Sequence, residues 1–289
     1  MNQKIKDRIA DVVYLLYKYK IVKNKIRVYS VDETLDQLIN TEKSLVRFGD
    51  GEITMIRGRS LKLQNVDEKL IEDLKRILTY EHEELMVSIP DIFDGVEQYH
   101  ARSRQFWKDH LLFSRKIYEK YCRTDRVYCS TSVSRCYYAY EDKTPCAGWF
   151  QRVRQIWKGK KVVVVEGSRS HNGVGNNLLD LAESVERIIC PPSNAYAKLD
   201  EIRETCLKYP KDRLFLLALG AAAKPLAESL FAEGYRVIDI GNLDMEYEWF
   251  LQGTTEKVKL SKHSVEGDAA NRQAGFEKYL NEVAYTLNN

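Results

Sequence analysis

The chain has 289 residues, 44% hydrophobic and 30% charged, enough for one large domain or two small ones around a sizeable core. Its 45 basic and 42 acidic side chains leave a net charge of +3, which gives no concentrated basic surface for nucleic acid. No apolar run approaches the roughly 20 residues that span a bilayer, and the first ten residues alternate charge with apolarity rather than forming a signal-peptide core.

Six cysteines (Cys122, Cys129, Cys136, Cys146, Cys190 and Cys206) show no CxxC spacing and read as reduced thiols of a cytosolic protein. From the N-terminus, Ile5, Ile9, Val12, Val13, Leu16 and Tyr17 recur at helical spacing among lysines and arginines. They predict a basic amphipathic helix over 4–25. Packing on its own domain is the favoured placement, and an anionic membrane surface is the competing one. Ser30-Val31-Asp32-Glu33 has the form of a capping box that opens a helix to about residue 42.

Short apolar runs then alternate with helical patterns. Strands are predicted at 44–48, 85–89, 126–130, 161–166, 187–190, 214–219 and 236–240, and helices at 67–82, 99–121, 176–185, 199–209 and 222–233. Val162 to Val165 and Leu214 to Leu219 lack polar alternation, as in strands buried on both faces of a parallel sheet. The pattern predicts an α/β fold with a doubly wound, mainly parallel sheet and helical additions at the N-terminus and middle. No Pro/Gly/Ser linker and no repeat interrupts it. The expectation is therefore a single domain over 1–289: a helical extension at 1–43, a core at 44–266 with a helical insertion at about 91–157, and a C-terminal helix at 267–289.

Chemistry-bearing residues gather where predicted strands end, which is where open α/β sheets bind ligands. Arg47-Phe48-Gly49-Asp50-Gly51-Glu52 combines a cation for phosphate, two turn-forming glycines and two hard carboxylate ligands. A helix start with first-turn acids accounts for the same residues without function. Glu166-Gly167-Ser168-Arg169-Ser170-His171-Asn172-Gly173-Val174-Gly175-Asn176 is a glycine-rich loop able to turn backbone N–H groups toward phosphate. It matches neither GxGxxG nor the P-loop, and His171 within it reads as a solvated residue. Pro192 and Asn194 stiffen and decorate the next strand end, where Asn194 offers a base-reading amide. Gly220 opens a helix among small residues. Asn242, Asp244, Glu246 and Glu248 follow the last strand, and Asp244 and Glu248 share one face if the segment from Met245 is helical.

In that order, Arg47 to Glu52, Gly173 to Asn176, Cys190 to Ala195, Leu217 to Gly220 and Asp239 to Phe250 resemble the GT-D-type glycosyltransferases, across about 44–250. The resemblance implies a Rossmann-like domain and a DxE motif linked to a divalent metal, Mn²⁺ or Mg²⁺. It further implies a UDP-sugar donor for glycans on serine-rich bacterial adhesins. Two segments satisfy DxE: Asp50-Gly51-Glu52, the preferred metal pair, and Asp244-Met245-Glu246, its rival. Asn242 stands where many members are expected to carry histidine.

The resulting expectation is a metal-dependent hexosyltransferase that moves a hexose from a UDP-sugar to a hydroxyl of a growing glycan on a glycoprotein or surface polysaccharide. Arg47, Gly49, Gly51, Glu166, Gly167, Arg169, Gly173, Gly175, Asn176, Pro192, Asn194, Gly220 and Asn242 would line the nucleotide-sugar site. Glu248 or Asp244 would act as base, and Trp107, Tyr137, Tyr138 and Trp149 would offer rings to the acceptor or simply fill the core. A non-catalytic nucleotide-sugar-binding subunit and a transferase of another group onto a sugar are the alternatives. The expected location is the cytoplasm, extending to the inner face of the membrane or a glycosylation complex.

Overall fold

A computed structural model describes residues 3–21, 26–263 and 274–287. In chain order these form α1 (Gln3–Lys18), β1 (Arg27–Val28), α2 (Val31–Asn40), β2 (Ser44–Arg47), α3 (Asp50–Ile56), α4 (Glu68–Thr79), β3 (Leu85–Ile89), α5 (Ala101–Tyr121), β4 (Val127–Ser130) and α6 (Cys146–Gln155). There follow β5 (Lys161–Gly167), β6 (Ser184–Cys190), α7 (Leu199–Cys206), β7 (Leu214–Ala218), α8 (Ala223–Ala232), β8 (Arg236–Asp239), α9 (Leu243–Leu251), α10 (Phe276–Glu282) and β9 (Val283–Thr286).

The nine described strands lie in the order β1-β4-β3-β2-β8-β7-β5-β6-β9, and every pairing is parallel. All carboxyl ends therefore meet along one edge. The steps β2 to β3, β3 to β4, β6 to β7 and β7 to β8 run one way along the sheet. The steps β1 to β2 and β4 to β5 run the other way. Right-handed crossovers put the helices of the two groups on opposite faces, and α2 accordingly packs on α6 while α4 packs on α8. Val162 to Val165 in β5 and Leu214 to Leu217 in β7 are buried between these layers, which is why their sequence shows no alternation.

Local chemistry explains several boundaries. Ser30 and Glu33 form the expected capping box at the start of α2. At α3 the cap is Gly49, whose N–H donates to Glu52 Oε2 at 2.7 Å.

Some expectations need correction. The helix predicted over 176–185 is a series of turns, and β6 begins at Ser184. Leu178, Leu179 and Leu181 sit at helical spacing, but Asn176 and Asn177 favour turns: Asn176 Oδ1 accepts from the Leu178 N–H, and both side chains bond to α9, at Asp244 and Tyr247. The helix predicted over 4–25 ends at Lys18, and Lys20 takes a positive φ of 55°; residues 22–25 lie outside the described residues. The extension at 1–43 carries β1, an edge strand paired to β4. The insertion at 91–157 supplies β4 itself, so it is part of the sheet as well as a cover. The terminal helix is α10 followed by β9, which pairs with β6; residues 264–273, 288 and 289 lie outside the described residues.

Candidate active site at the strand ends

The ends of β2, β7 and β8 converge on a buried ionic cluster. Lys224, in the first turn of α8, is 1% exposed. Its Nζ lies 2.9 Å from Glu52 Oε1 and 3.0 Å from Asp239 Oδ2, and it donates to the Gly220 carbonyl at 2.9 Å. Arg47 is buried beside them and donates through Nε to the Thr131 carbonyl at 3.4 Å. Burial pushes the Glu52 carboxyl up, but the charges of Lys224 and Arg47 outweigh it and hold it below the ordinary value. Burial wins at Asp239, whose carboxyl is raised despite the same two cations. Burial and the nearby charge of Arg135 lower the Arg47 guanidinium. Gly241, at φ 50°, is required here: a Cβ would come within 2.9 Å of the Arg47 side chain.

Asp50 is different. It is partly exposed at the first turn of α3 and makes no hydrogen bond or ion pair to a described residue. Its charge is felt by Arg47, by His110 and by Lys257. Lys257 in turn feels Arg135 and Glu246, and burial pulls its ammonium below the ordinary value. The charge of Asp50 thus reaches Arg47 and Lys257, which both also feel Arg135, at the carboxyl edge of the sheet.

α9 carries its carboxylates on two faces of the helix. Glu246, on one side, accepts from the Tyr137 and Tyr138 N–H groups at 3.1 and 2.8 Å and pairs with Arg135 Nε at 3.0 Å. Asp244 and Glu248 share the other side. Asp244 is fully buried: Oδ1 accepts from the Gly173 N–H at 2.8 Å and Asn176 Nδ2 at 2.9 Å, while Oδ2 lies 2.7 Å from both Lys262 Nζ and His263 Nε2. Burial pushes its carboxyl up, but these partners bring it below the ordinary value. Glu248 Oε1 receives Lys262 Nζ at 2.6 Å and Asn176 Nδ2 at 2.5 Å, and part of the side chain stays open to solvent.

The remaining expected residues separate. Glu166 is fully buried, paired with Arg187 Nη1 at 2.6 Å and bonded by the Asn172 N–H and side-chain amide. It shapes the loop from inside and does not line its surface. His171 is buried, not solvated: its Nδ1 sits 2.5 Å from the Lys262 carbonyl, and its ring meets Phe276 and Tyr279 edge-on. Gly173 and Gly175 take φ of 77° and 74° in that loop. A Cβ on Gly167 would meet Pro191 and Pro192 at 3.4 Å, so the loops after β5 and β6 lie together, with Arg169 exposed beside them. Asn194, in the left-handed region, spends its Oδ1 on the Asn65 N–H at 2.8 Å and its own N–H on the Leu63 carbonyl. Gly51 lies against Leu61, and Asn242 is exposed at the start of α9. Tyr137, Tyr138 and Trp149 are buried, and Trp107 is half-buried.

The metal pairs do not fit as pairs. Glu52 is tied to Lys224 and Gly49, and both oxygens of Asp244 and of Glu246 are engaged. No group of three or more His, Cys, Asp or Glu among the described residues is placed to hold a metal. Asp50 alone fits a cation that brings its remaining ligands from water and substrate phosphate, the usual habit of Mg²⁺. Sequence reasoning missed Lys224, Arg135, Lys257, Lys262 and His263, and also Asp91. Asp91 follows β3, is bonded by Tyr99 and Ser132, and is raised by burial. The one available signal was Asp239, a carboxylate inside an apolar run.

The sequence and fold are shared with known proteins. The family model of the glycosyltransferase GT-D fold matches residues 45–267. A glycosyltransferase containing domain of unknown function 1792 from Streptococcus sanguinis superposes with a TM-score of 0.84 at 41% identity, covering 91% of this chain and all of the other. A second solved structure, described as a domain of unknown function 1792 with a distinct glycosyltransferase fold, superposes at 0.85 with 34% identity over 96% of this chain and 98% of that one. Among curated relatives, the probable glycosyl transferase Gly of Streptococcus gordonii is 45% identical over 84% of this chain, and the glycosyltransferase GlyD of Streptococcus pneumoniae is 41% identical over 89%. The chain belongs to the GT-D glycosyltransferase family. It spans only about a third of the length of those curated relatives, 36% and 32%.

Proposed function

We propose that the chain transfers a hexose from a UDP-sugar to a hydroxyl of a growing glycan, on a glycoprotein or surface polysaccharide. The observation that carries this reading is the Asp50 carboxylate, with no hydrogen bond or ion pair to a described residue and with its charge felt by Arg47 and Lys257, at the carboxyl edge of a parallel sheet. Breaking the glycosidic bond leaves negative charge on the departing diphosphate. Fixed cations at the strand ends stabilise that charge without reorganising. Gly220, beside which an added Cβ would meet nothing, leaves backbone open to the phosphates next to the exposed Asn242, and the loops carrying Gly167, Arg169, Pro192 and Asn194 take the nucleoside. A divalent Mg²⁺ or Mn²⁺ held by Asp50 would supply further neutralisation of the diphosphate.

Glu248 is the base in this reading, because it keeps a solvent-facing portion while Asn176 and Lys262 fix its carboxylate. It takes the proton of the acceptor hydroxyl, a role worth about 10² to 10⁴ in rate. Asp244 positions Lys262, Asn176 and His263 around it. The test is release of UDP from UDP-hexoses with and without a glycan acceptor, beside thermal shift with UDP, GDP, CDP and NAD. UDP is expected to shift the protein most. No shift with any nucleotide, or a larger one with NAD, overturns the reading.

A further inference from the structure

α1 packs on α5 through Ala10, Tyr14 and Tyr17, with Lys6 and Asp11 tied to Asp109 and Lys108. Its opposite side is apolar and open. Ile5 is 53% exposed, Ile9 41%, Val12 57% and Leu15 43%, and Tyr19 and Ile21 extend the stripe just beyond the helix. The spacing of 5, 9 and 12 keeps these residues on one face. Arg8 is exposed along the same side, and Lys20 is exposed just beyond the end of the helix. Asp7 and Asp11 lie toward the packed flank, Asp7 bonded by Gln3 and Asp11 by Lys108. A run of aliphatic side chains this exposed marks an interaction surface.

We propose that this face of α1 docks the protein on an anionic lipid surface, with Ile5, Ile9, Val12 and Leu15 entering the headgroup boundary and Arg8 and Lys20 meeting the lipid charge. The charge distribution selects this occupant. A symmetric contact between two copies sets the basic residues of one stripe against those of the other, which opposes pairing. A lipid surface of negative charge satisfies the aliphatic and the basic residues together. The inner face of α1 remains committed to α5, so docking needs no refolding of the domain. This inference is independent of the donor and acceptor proposed above.

Cosedimentation with phosphatidylcholine vesicles that contain phosphatidylglycerol tests it, with vesicles of phosphatidylcholine alone as control. Binding is expected only to the anionic vesicles, and raising salt to about 1 M, where screening acts within about 3 Å, should weaken it. Ile9→Glu with Val12→Glu should reduce partitioning about tenfold or more. Arg8→Glu with Lys20→Glu should do the same while leaving the aliphatic stripe intact. All four positions are exposed, so the thermal midpoint and UDP affinity should match those of the parent chain. Three outcomes overturn the proposal: no binding to anionic vesicles, binding by either double variant equal to that of the parent chain, or a dimer of the parent chain that Ile9→Glu with Val12→Glu separates.

Discussion

Glu52 and Lys224 meet at 2.9 Å with both side chains withdrawn from solvent. This contact joins the first turn of α3 to the first turn of α8. Through Asp239, 3.0 Å from the same ammonium, it also reaches the end of β8. Three strand ends are thereby fixed relative to one another, and Arg47 is packed against the result. The DxE motif is thus split by burial: its second acid is tied into the ionic cluster, and its first makes no hydrogen bond or ion pair to a described residue.

Lys224→Met should therefore cost about 3–5 kcal/mol of stability, because it leaves Glu52 and Asp239 buried without their cation. Urea unfolding of the parent and the variant measures this directly. A loss below about 1 kcal/mol would mean that water reaches the cluster and that the strand ends are not held by it.

Asp50→Asn should behave in the opposite way. Asp50 has no partner to lose among the described residues, so stability should change by no more than about 0.5 kcal/mol. Calorimetric titration with UDP and Mg²⁺ should show affinity lowered about tenfold, since the amide keeps the size but gives up the charge that a hard cation needs. Unchanged affinity in a folded Asp50→Asn protein removes this carboxylate from the site.

The sequence carried the sheet because its strands are short apolar runs with no polar face, as at Val162 to Val165. It also carried the relation between Asp244 and Glu248, since helical spacing alone puts them together and sends Glu246 the other way. What it could not carry was pairing across distance. Nothing local to Glu52 announces Lys224, and nothing local to Asp244 announces Lys262 or His263. The loop after β5 misled for a related reason. Its leucines are spaced as in a helix, but they lie in separate turns, with Leu178 fully buried and its carbonyl held by Trp157 Nε1 at 3.0 Å.

Acid should expose the charge design. The Glu52 and Asp244 carboxyls are both held below their ordinary values. The folded protein then binds fewer protons than the unfolded chain as the pH drops toward about 4, the unfolded carboxyl range. Their stabilisation is present above that range and is lost as the pH falls through the folded values. Asp244→Asn should lower stability at neutral pH and flatten the acid limb of a plot of unfolding free energy against pH. An acid limb of unchanged slope would show that Asp244 does not titrate with folding.

Glu248→Gln separates catalysis from architecture. The amide can still accept from Lys262 and Asn176, so the knot around Asp244 should survive and the thermal midpoint should shift little. Turnover should fall about 10² or more while UDP affinity stays close to that of the parent. A purely structural Glu248 predicts another pattern: stability and donor affinity fall together, and turnover at saturating donor is nearly normal. Lys262→Met provides the cross-check. It removes the cation shared by Asp244 and Glu248, 2.7 and 2.6 Å away, and leaves Asp244 buried beside His263. That variant should lose both stability and turnover, whereas Glu248→Gln should lose turnover alone. If Glu248→Gln turns over normally in a folded protein, the acceptor proton goes elsewhere. Asp91 at the end of β3, with its carboxyl raised by burial, becomes the next residue to replace.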